Sequence, residues 1–108
     1  MSKKELELYE LVLLLKYTTV GSTIQDRIDF YRDFLTDKGT QVMVKNHGKK
    51  SLAYPIKNFD SATSVQIVYL GNDELIRQLN TEIQRDELVL RGLTTKLTDQ
   101  DVAEMFTT

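Results

Sequence analysis

The side chains best placed to do chemistry in this chain are cations. From Lys38 to Asn58 the sequence reads KGTQVMVKNHGKKSLAYPIKN, with five lysines (38, 45, 49, 50 and 57), the chain's sole histidine and proline, and no acid. The protein as a whole has a formal net charge of −2, so positive charge is gathered into one stretch of a slightly acidic molecule. Clustered ammonium groups of this kind suit a polyanion such as a nucleic-acid backbone. A lysine-rich edge strand guarded against aggregation has the same composition, and charge alone leaves both readings open.

Catalytic chemistry has less to stand on. His47 is the only imidazole and cysteine is absent, which excludes a cysteine–histidine pair and histidine-based metal clusters while leaving serine or carboxylate chemistry open. The acids of the middle of the chain, Asp26, Asp29, Asp33, Asp73 and Glu74, fall at spacings expected for the solvent faces of helices. The five glycines are scattered at turns or in strands and form no phosphate-cradling loop.

These side chains have to be positioned by elements that the hydrophobic pattern marks out. Tyr9 to Lys16 is a short run apolar on both faces, as in a central strand covered on two sides. Ser22 and Gln25 have capping-box spacing ahead of a helix over about 23–38, whose buried stripe is Ile24, Ile28, Tyr31 and Leu35, widened by Phe34; Gly39 stops it. The cationic segment follows as a strand between Val42 and Ile56. Pro55 has no N–H for a ladder, so this strand belongs at a sheet edge or ends there. Phe59-Asp60-Ser61 is read as the return into a strand over Thr63 to Leu70, with Val65, Ile67 and Tyr69 on one face and Ser64, Gln66 and Val68 on the other. Asn72 is an N-cap, with Asp73 and Glu74 at the positive end of a second helix that runs to about Arg85 on Leu75, Ile76, Leu79 and Ile83. A last strand covers Leu88 to Leu97. In the polar tail, 98–108, Thr98 and Asp101 could cap a short turn bearing Val102, Met105 and Phe106, which either docks on a neighbour or frays.

At 108 residues and 41% apolar content the expectation is one domain, with an ordered core over about 8–97. The N-terminal MSKKELELYELVLLLK has lysines before an apolar run, but Glu5, Glu7 and Glu10 interrupt it and Leu11 to Leu15 is too short to span a membrane. It reads as a strand of a soluble protein. The absence of cysteine fits a reducing compartment.

Strand–helix–strand twice over is the pattern of an α+β, ferredoxin-like βαββαβ plait, a four-stranded antiparallel sheet with two helices on one face. Its first and third strands are central, which puts Pro55 and the lysines on an edge. In the RNA-recognition module built on this plait, bases stack on aromatics of the two central strands. The corresponding positions here, Glu10, Val12, Leu14, Ser64, Gln66 and Val68, contain no aromatic, so the expected contact is with phosphates of a folded RNA rather than with stacked bases. Val12, Leu14 and Val68 also form an apolar strip on the face away from the helices. It reads either as a docking surface for another protein or as the scattered apolar residues that every surface has.

The motifs have a counterpart in a known family. Tyr9-Glu10-Leu11, then His47-Gly48-Lys49-Lys50-Ser51-Leu52-Ala53-Tyr54-Pro55-Ile56, then Val89-Leu90-Arg91 resemble, in order and spacing, the Tyr-Glu opening, the Gly-basic-basic-x-Leu-Ala-Tyr-x-Ile signature and the late Val-Ile-Arg motif of the sixth protein of the bacterial-type small ribosomal subunit. The resemblance covers roughly 8–97. Phe59 to Ser64 replaces the family's Gly-aromatic pair, Gly92 stands where a larger residue is usual, and the tail lacks the acidic run of some members. The resemblance implies a non-catalytic constituent of the small subunit that supports translation, with no cofactor, metal or small-molecule substrate. It implies pairing with the eighteenth small-subunit protein and binding to the central domain of small-subunit ribosomal RNA, in a bacterial cytoplasm or inside a plastid or mitochondrion. On that basis Lys45, Lys49, Lys50, Lys57 and Arg91 are candidate RNA contacts, and Val12, Leu14, Val68 and Tyr54 candidate partner contacts. For Tyr54 and Leu52 core packing is the leading role and partner packing the alternative, and His47 reads as an ordinary loop residue. The rival reading from another class is a small ligand-binding or regulatory plait that oligomerises through its sheet face; an enzyme of this fold would need convergent carboxylates.

Overall fold

A strand that is apolar on both faces fixes the layering. In the computed structural model, which describes residues 6–17 and 21–107, strand β1 (Glu7–Lys16) buries Tyr9, Leu11, Leu13 and Leu15 against helices and half-buries the alternate residues on the opposite face. After it come α1 (Gly21–Asp37), β2 (Val42–Ile56), β3 (Phe59–Gly71), α2 (Asp73–Arg85), β4 (Val89–Lys96) and α3 (Asp99–Thr107). The strands form one antiparallel sheet in the order β2-β3-β1-β4. This is the expected α+β ferredoxin-like plait, with the cationic strand at an edge.

The core lies between the sheet and two helices. From α1 come Ile24, Ile28, Tyr31 and Leu35, with Phe34 at the margin; from α2 comes Leu79, flanked by Leu75, Ile76 and Ile83. Val65, Ile67 and Tyr69 of β3 face them and are fully buried. Helix ends follow local chemistry. The Asn72 side chain accepts from the Leu75 N–H at 3.0 Å, which caps α2 as its sequence predicts. Gly39, at φ 88°, closes α1, with the Gly39 N–H donating to the Thr36 carbonyl and the Thr40 N–H to the Leu35 carbonyl. The Ser22–Gln25 capping box does not form. Helix α1 already begins at Gly21, so Ser22 sits inside the first turn, and the Gln25 amide reaches forward to Asp29 at 2.9 Å.

A buried polar lock ties the two helices to β4. Oδ2 of Asp86 accepts from Arg27 Nε at 3.0 Å and Nη2 at 2.9 Å and from the Tyr31 hydroxyl at 2.8 Å. Its Oδ1 accepts from the Leu88 N–H at 3.0 Å, and its carbonyl from the Val89 N–H at 3.1 Å. Burial and the Asp86 carboxylate together push the Tyr31 hydroxyl's pKa well above that of a free phenol. Beyond β4 the tail is a helix rather than a bare polar segment. The Thr98 hydroxyl and N–H both donate to Asp101 Oδ2 at 2.9 Å, and the Asp101 N–H returns to Thr98 Oγ1 at 3.1 Å. Those bonds hold the Asp101 carboxyl below the usual carboxylate range. The side chains of Val102, Met105 and Phe106 lie outside the described residues.

Strands β2 and β3 form a hairpin longer than the sheet it belongs to. β1 ends where Lys16 pairs with Ala62, and the arm continues to a tip at Lys57-Asn58. Both tip residues have positive φ, 51° and 71°, the combination of a two-residue type I′ turn, between the paired Ile56 and Phe59. The return is therefore at Lys57-Asn58, and Phe59-Asp60-Ser61, read from sequence as the turn, begins β3. The pairing is interrupted twice, at His47 and between Ser51 and Ile56. Pro55 sits in the second break, where a residue without an N–H costs the ladder nothing.

Candidate nucleic-acid interface

Four of the five lysines come together on the arm. Lys45, Lys49, Lys50 and Lys57 are all exposed along β2 and its turn, and β2 and β3 contain a single acid, Asp60. Lys38 is apart from them, at the end of α1 over the Phe34 ring at 5.3 Å. The ladder splits the arm lysines between two faces. Lys45 and Lys50 pair with Gln66 and Ala62 on the open side of the sheet, whereas Lys49 pairs with Thr63 on the helix side and holds its Nζ 4.6 Å from the Tyr17 ring. Lys16 joins them unforeseen: it pairs with Ala62 from the side opposite Lys50, and its Nζ lies 5.6 Å from the Phe59 ring. Its position at the end of a hydrophobic strand hid it from a charge count along the chain.

Arg91 reaches the same arm from the opposite edge of the sheet. Its Nη1 donates to the Tyr54 hydroxyl at 3.1 Å, with the guanidinium carbon 5.9 Å from the Tyr54 ring. β2 and β4 are the two outer strands, so this contact requires the arm beyond β1 to curl across the end of the sheet. The register breaks supply the bend, since extra residues on one strand increase local twist. Tyr54 is 52% exposed and is not a core residue, which corrects the expectation for it; Leu52 is half-buried. Pro55 follows Tyr54 in the ladder break, which frees the tyrosine from the alternation that would bury it.

The open face holds a polar relay among apolar residues. Gln66 Nε2 donates to Glu10 Oε2 at 2.5 Å, so its Oε1 is left to accept from His47 Nε2 at 2.9 Å. A carboxylate cannot donate, and this order therefore fixes a proton on His47 Nε2. His47 is thus a bulged strand residue engaged across the sheet, not a loop residue. The bulge is completed by Gly48, at φ 80°, whose N–H donates to the Asn46 side chain at 2.8 Å.

The apolar strip differs from the one expected. Val12 and Leu14 are half-buried, but Val68 is only 6% exposed because it is flanked on the central strand β3 by Glu10 and Met43. A partner would instead meet Leu93, 61% exposed beside Val12, and Met43, 45% exposed beside Val68. Both are legible once the register is known, since Leu93 falls between Arg91 and Thr95 on the outward alternation of β4. The open-face positions of β1 and β3 carry no aromatic, in line with the expectation against base stacking there.

This geometry fits what comparison with known proteins finds. The family described as Ribosomal protein S6 matches over residues 8–96. The chain belongs to that family. A small ribosomal subunit protein bS6 of Gloeothece citriformis is 39% identical over 94 residues, covering 86% of this chain and 53% of that protein, so the chain spans about half of that relative's length. The bS6 protein of Picosynechococcus is 30% identical, covering 88% of this chain and 84% of its own, and bS6c of Guillardia theta is 30% identical over 86% of this chain and 98% of its own. Among solved structures, ribosomal protein S6 of Thermotoga maritima superposes with a TM-score of 0.82 at 14% identity, covering 94% of this chain and 96% of that one. A plait from an unrelated setting, the C-terminal domain of MgtC from Mycobacterium tuberculosis, superposes at 0.55 with 9% identity, covering 92% of this chain and 96% of that domain, and shows the fold alone. Membership makes this chain a small-subunit ribosomal protein, a structural constituent rather than an enzyme, in a family represented in both bacteria and plastids.

Proposed function

We propose that the chain binds small-subunit ribosomal RNA through its cationic arm, together with the eighteenth small-subunit protein seated on the open sheet face. The observation that carries the RNA reading is the segregation of charge. β2, the turn and β3 hold four lysines against Asp60, which leaves ten cations and fifteen acids for the rest of the chain. Lys45, Lys49, Lys50 and Lys57 offer point charges to phosphates, and Arg91 offers the bidentate fork suited to one. Leu93 and Met43, with the half-buried Val12 and Leu14 between them, support the partner reading: apolar area on an open plait face is commonly covered, and Tyr54 lies at its end.

The test is equilibrium binding of the Lys49→Glu/Lys50→Glu double variant to a transcript of the small-subunit RNA with the partner protein present. The expected result is weaker binding and a shallower dependence of affinity on salt, because the variant neutralises fewer phosphates and so displaces fewer counterions. Wild-type assembly at every salt concentration refutes the basic edge as the RNA-binding element. A Leu93→Asp variant should fail to bind the partner while keeping the fold; partner binding at wild-type strength refutes the seat on the open face.

A further inference from the structure

Where the arm curls past the end of the sheet it closes one side of an open hollow of about 450 Å³, lined by Lys57, by Asn80, Ile83 and Gln84 of α2, and by the start of β4 from Val89 to Gly92, Arg91 included. We propose that this hollow seats a backbone phosphodiester of the RNA, with Arg91 and Lys57 as its cations and the Asn80 and Gln84 amides as its neutral donors. The assignment rests on the RNA reading above and extends it to α2, which that reading leaves out.

Three observations carry it. First, the lining has two cations and no carboxylate. Three other hollows on the molecule each include at least one acid: Glu74 in one, Glu82 in another, and Glu10, Asp101 and Glu104 in the third. In a chain of net charge −2, an acid-free concavity with both an ammonium and a guanidinium is selective for an anion. Second, the guanidinium is aimed. Tyr54 takes one of its N–H groups at 3.1 Å and leaves the rest of the fork for an acceptor with fixed oxygens. Tyr54 is thus a positioning residue, acting through Arg91. Third, the floor is kept low by Gly92. Its backbone does not need glycine, since it is not among the positive-φ glycines, but a Cβ there would lie 3.2 Å from Ile83 Cγ2 and 3.4 Å from Leu13 Cδ2. The absence of a side chain lets α2 approach β4 and brings Asn80 and Gln84 to the rim. β4 is also an edge strand, so one side of its backbone faces no further strand, and at Val89 the N–H on that stretch is already taken by the Asp86 carbonyl at 3.1 Å.

The experiment is equilibrium binding of the full chain, with the partner protein, to a small-subunit RNA transcript over a range of salt. Arg91→Met should weaken binding about tenfold or more and reduce the salt slope by roughly 0.7 to 0.9. Asn80→Ala/Gln84→Ala should weaken it about three- to tenfold and leave the slope unchanged, because amides displace no counterions. Tyr54→Phe should cost about threefold in the wild-type background and nothing in the Arg91→Met background, the coupling expected of a residue that only aims the guanidinium. Circular dichroism on each variant identifies losses that come from unfolding. If the Arg91 and Asn80/Gln84 variants bind like wild type while Lys49→Glu/Lys50→Glu is weakened, the hollow is off the interface and the inference is wrong, with the RNA reading intact. If wild type itself does not bind, both fall. Saturable binding of inorganic phosphate alone, abolished by Arg91→Met, would assign the hollow to a free anion and overturn the phosphodiester.

Discussion

Asp86→Ala removes the acceptor on which Arg27, Tyr31 and the start of β4 all converge. The Asp86 side chain is 7% exposed and that of Arg27 28%. Breaking a buried ion pair by deleting one partner costs about 3–5 kcal/mol, and a buried hydroxyl left without a partner adds about 1–3 kcal/mol. Arg27 is exposed enough to find water, so the low end of each range applies and the sum is about 4 kcal/mol. At about 2.1 cal/mol/K of unfolding entropy per residue, 108 residues convert that to a fall of about 18 °C in Tm. Asp86→Asn keeps an oxygen for the Leu88 N–H and should cost about half as much. Urea titrations followed by circular dichroism measure both, with an unchanged slope as the sign that only stability has moved. Tyr31→Phe should cost about 1 kcal/mol alone and recover about 1 kcal/mol once Asp86 is gone, because it then removes an orphaned hydroxyl. A loss below about 1 kcal/mol for Asp86→Ala, or full additivity with Tyr31→Phe, would show that the three groups do not form the unit described. The consequence reaches the proposed interface, since the Asp86 carboxylate holds the Leu88 N–H and Arg91 follows three residues later.

Two further outcomes are expected. Gly48→Ala places a side chain at φ 80° where nothing lies within 4 Å, so its cost is backbone strain alone, about 1–2 kcal/mol by thermal or urea unfolding; a neutral result would show that the bulge relaxes without glycine. The Tyr69 hydroxyl is buried and makes no well-formed hydrogen bond among the described residues; burial first and Tyr9 second push its pKa up to about 12, and the Thr94 hydroxyl, near it but too poorly placed to satisfy it, pulls the other way. The folded state therefore keeps a proton that the unfolded chain sheds above pH 10. Stability is full below pH 10 and lost as pH rises towards about 12. Tyr69→Phe should raise stability at neutral pH by about 1 kcal/mol and flatten that alkaline loss, leaving the part due to Tyr31; an unchanged pH profile would mean that Tyr69 ionises as freely folded as unfolded.

The plait was legible because its signals are local and redundant. Two-sided apolarity in Tyr9 to Lys16 required a central strand, Pro55 required an edge, and Asn72 with Asp73 and Glu74 marked a helix start at the residue where it occurs. What stayed hidden depends on register. The turn at Lys57-Asn58 lacks the Asn-Gly pair that usually announces a type I′ hairpin, so the more polar Asp60-Ser61 was the stronger signal and the wrong one. Val68 has the sequence of a wet residue and the neighbours of a dry one, because a central strand is flanked on both sides. Tyr54 and Arg91 are 37 residues apart and on opposite edges, and only the two ladder breaks bring them together.

Net charge is the wrong quantity from which to judge whether such a protein can hold RNA. At physiological salt the Debye length is about 8 Å, while the molecule is 47 Å along its longest axis. A phosphate at the arm is governed by the charges within that radius, and acids elsewhere on the molecule are largely screened. The hairpin makes use of this by gathering its lysines on the outer strand β2 and its turn, with Lys49 and Lys50 level with the end of β1 and Lys57 past it, on two strands whose single acid is Asp60. An edge strand needs charge to resist pairing with a second copy, and lysines serve that purpose as well as phosphate binding. The two readings that charge alone left open therefore describe one device. What separates an RNA-binding edge from a merely protected one is the addition of Arg91, brought across the sheet and aimed by Tyr54, for which protection against aggregation offers no reason.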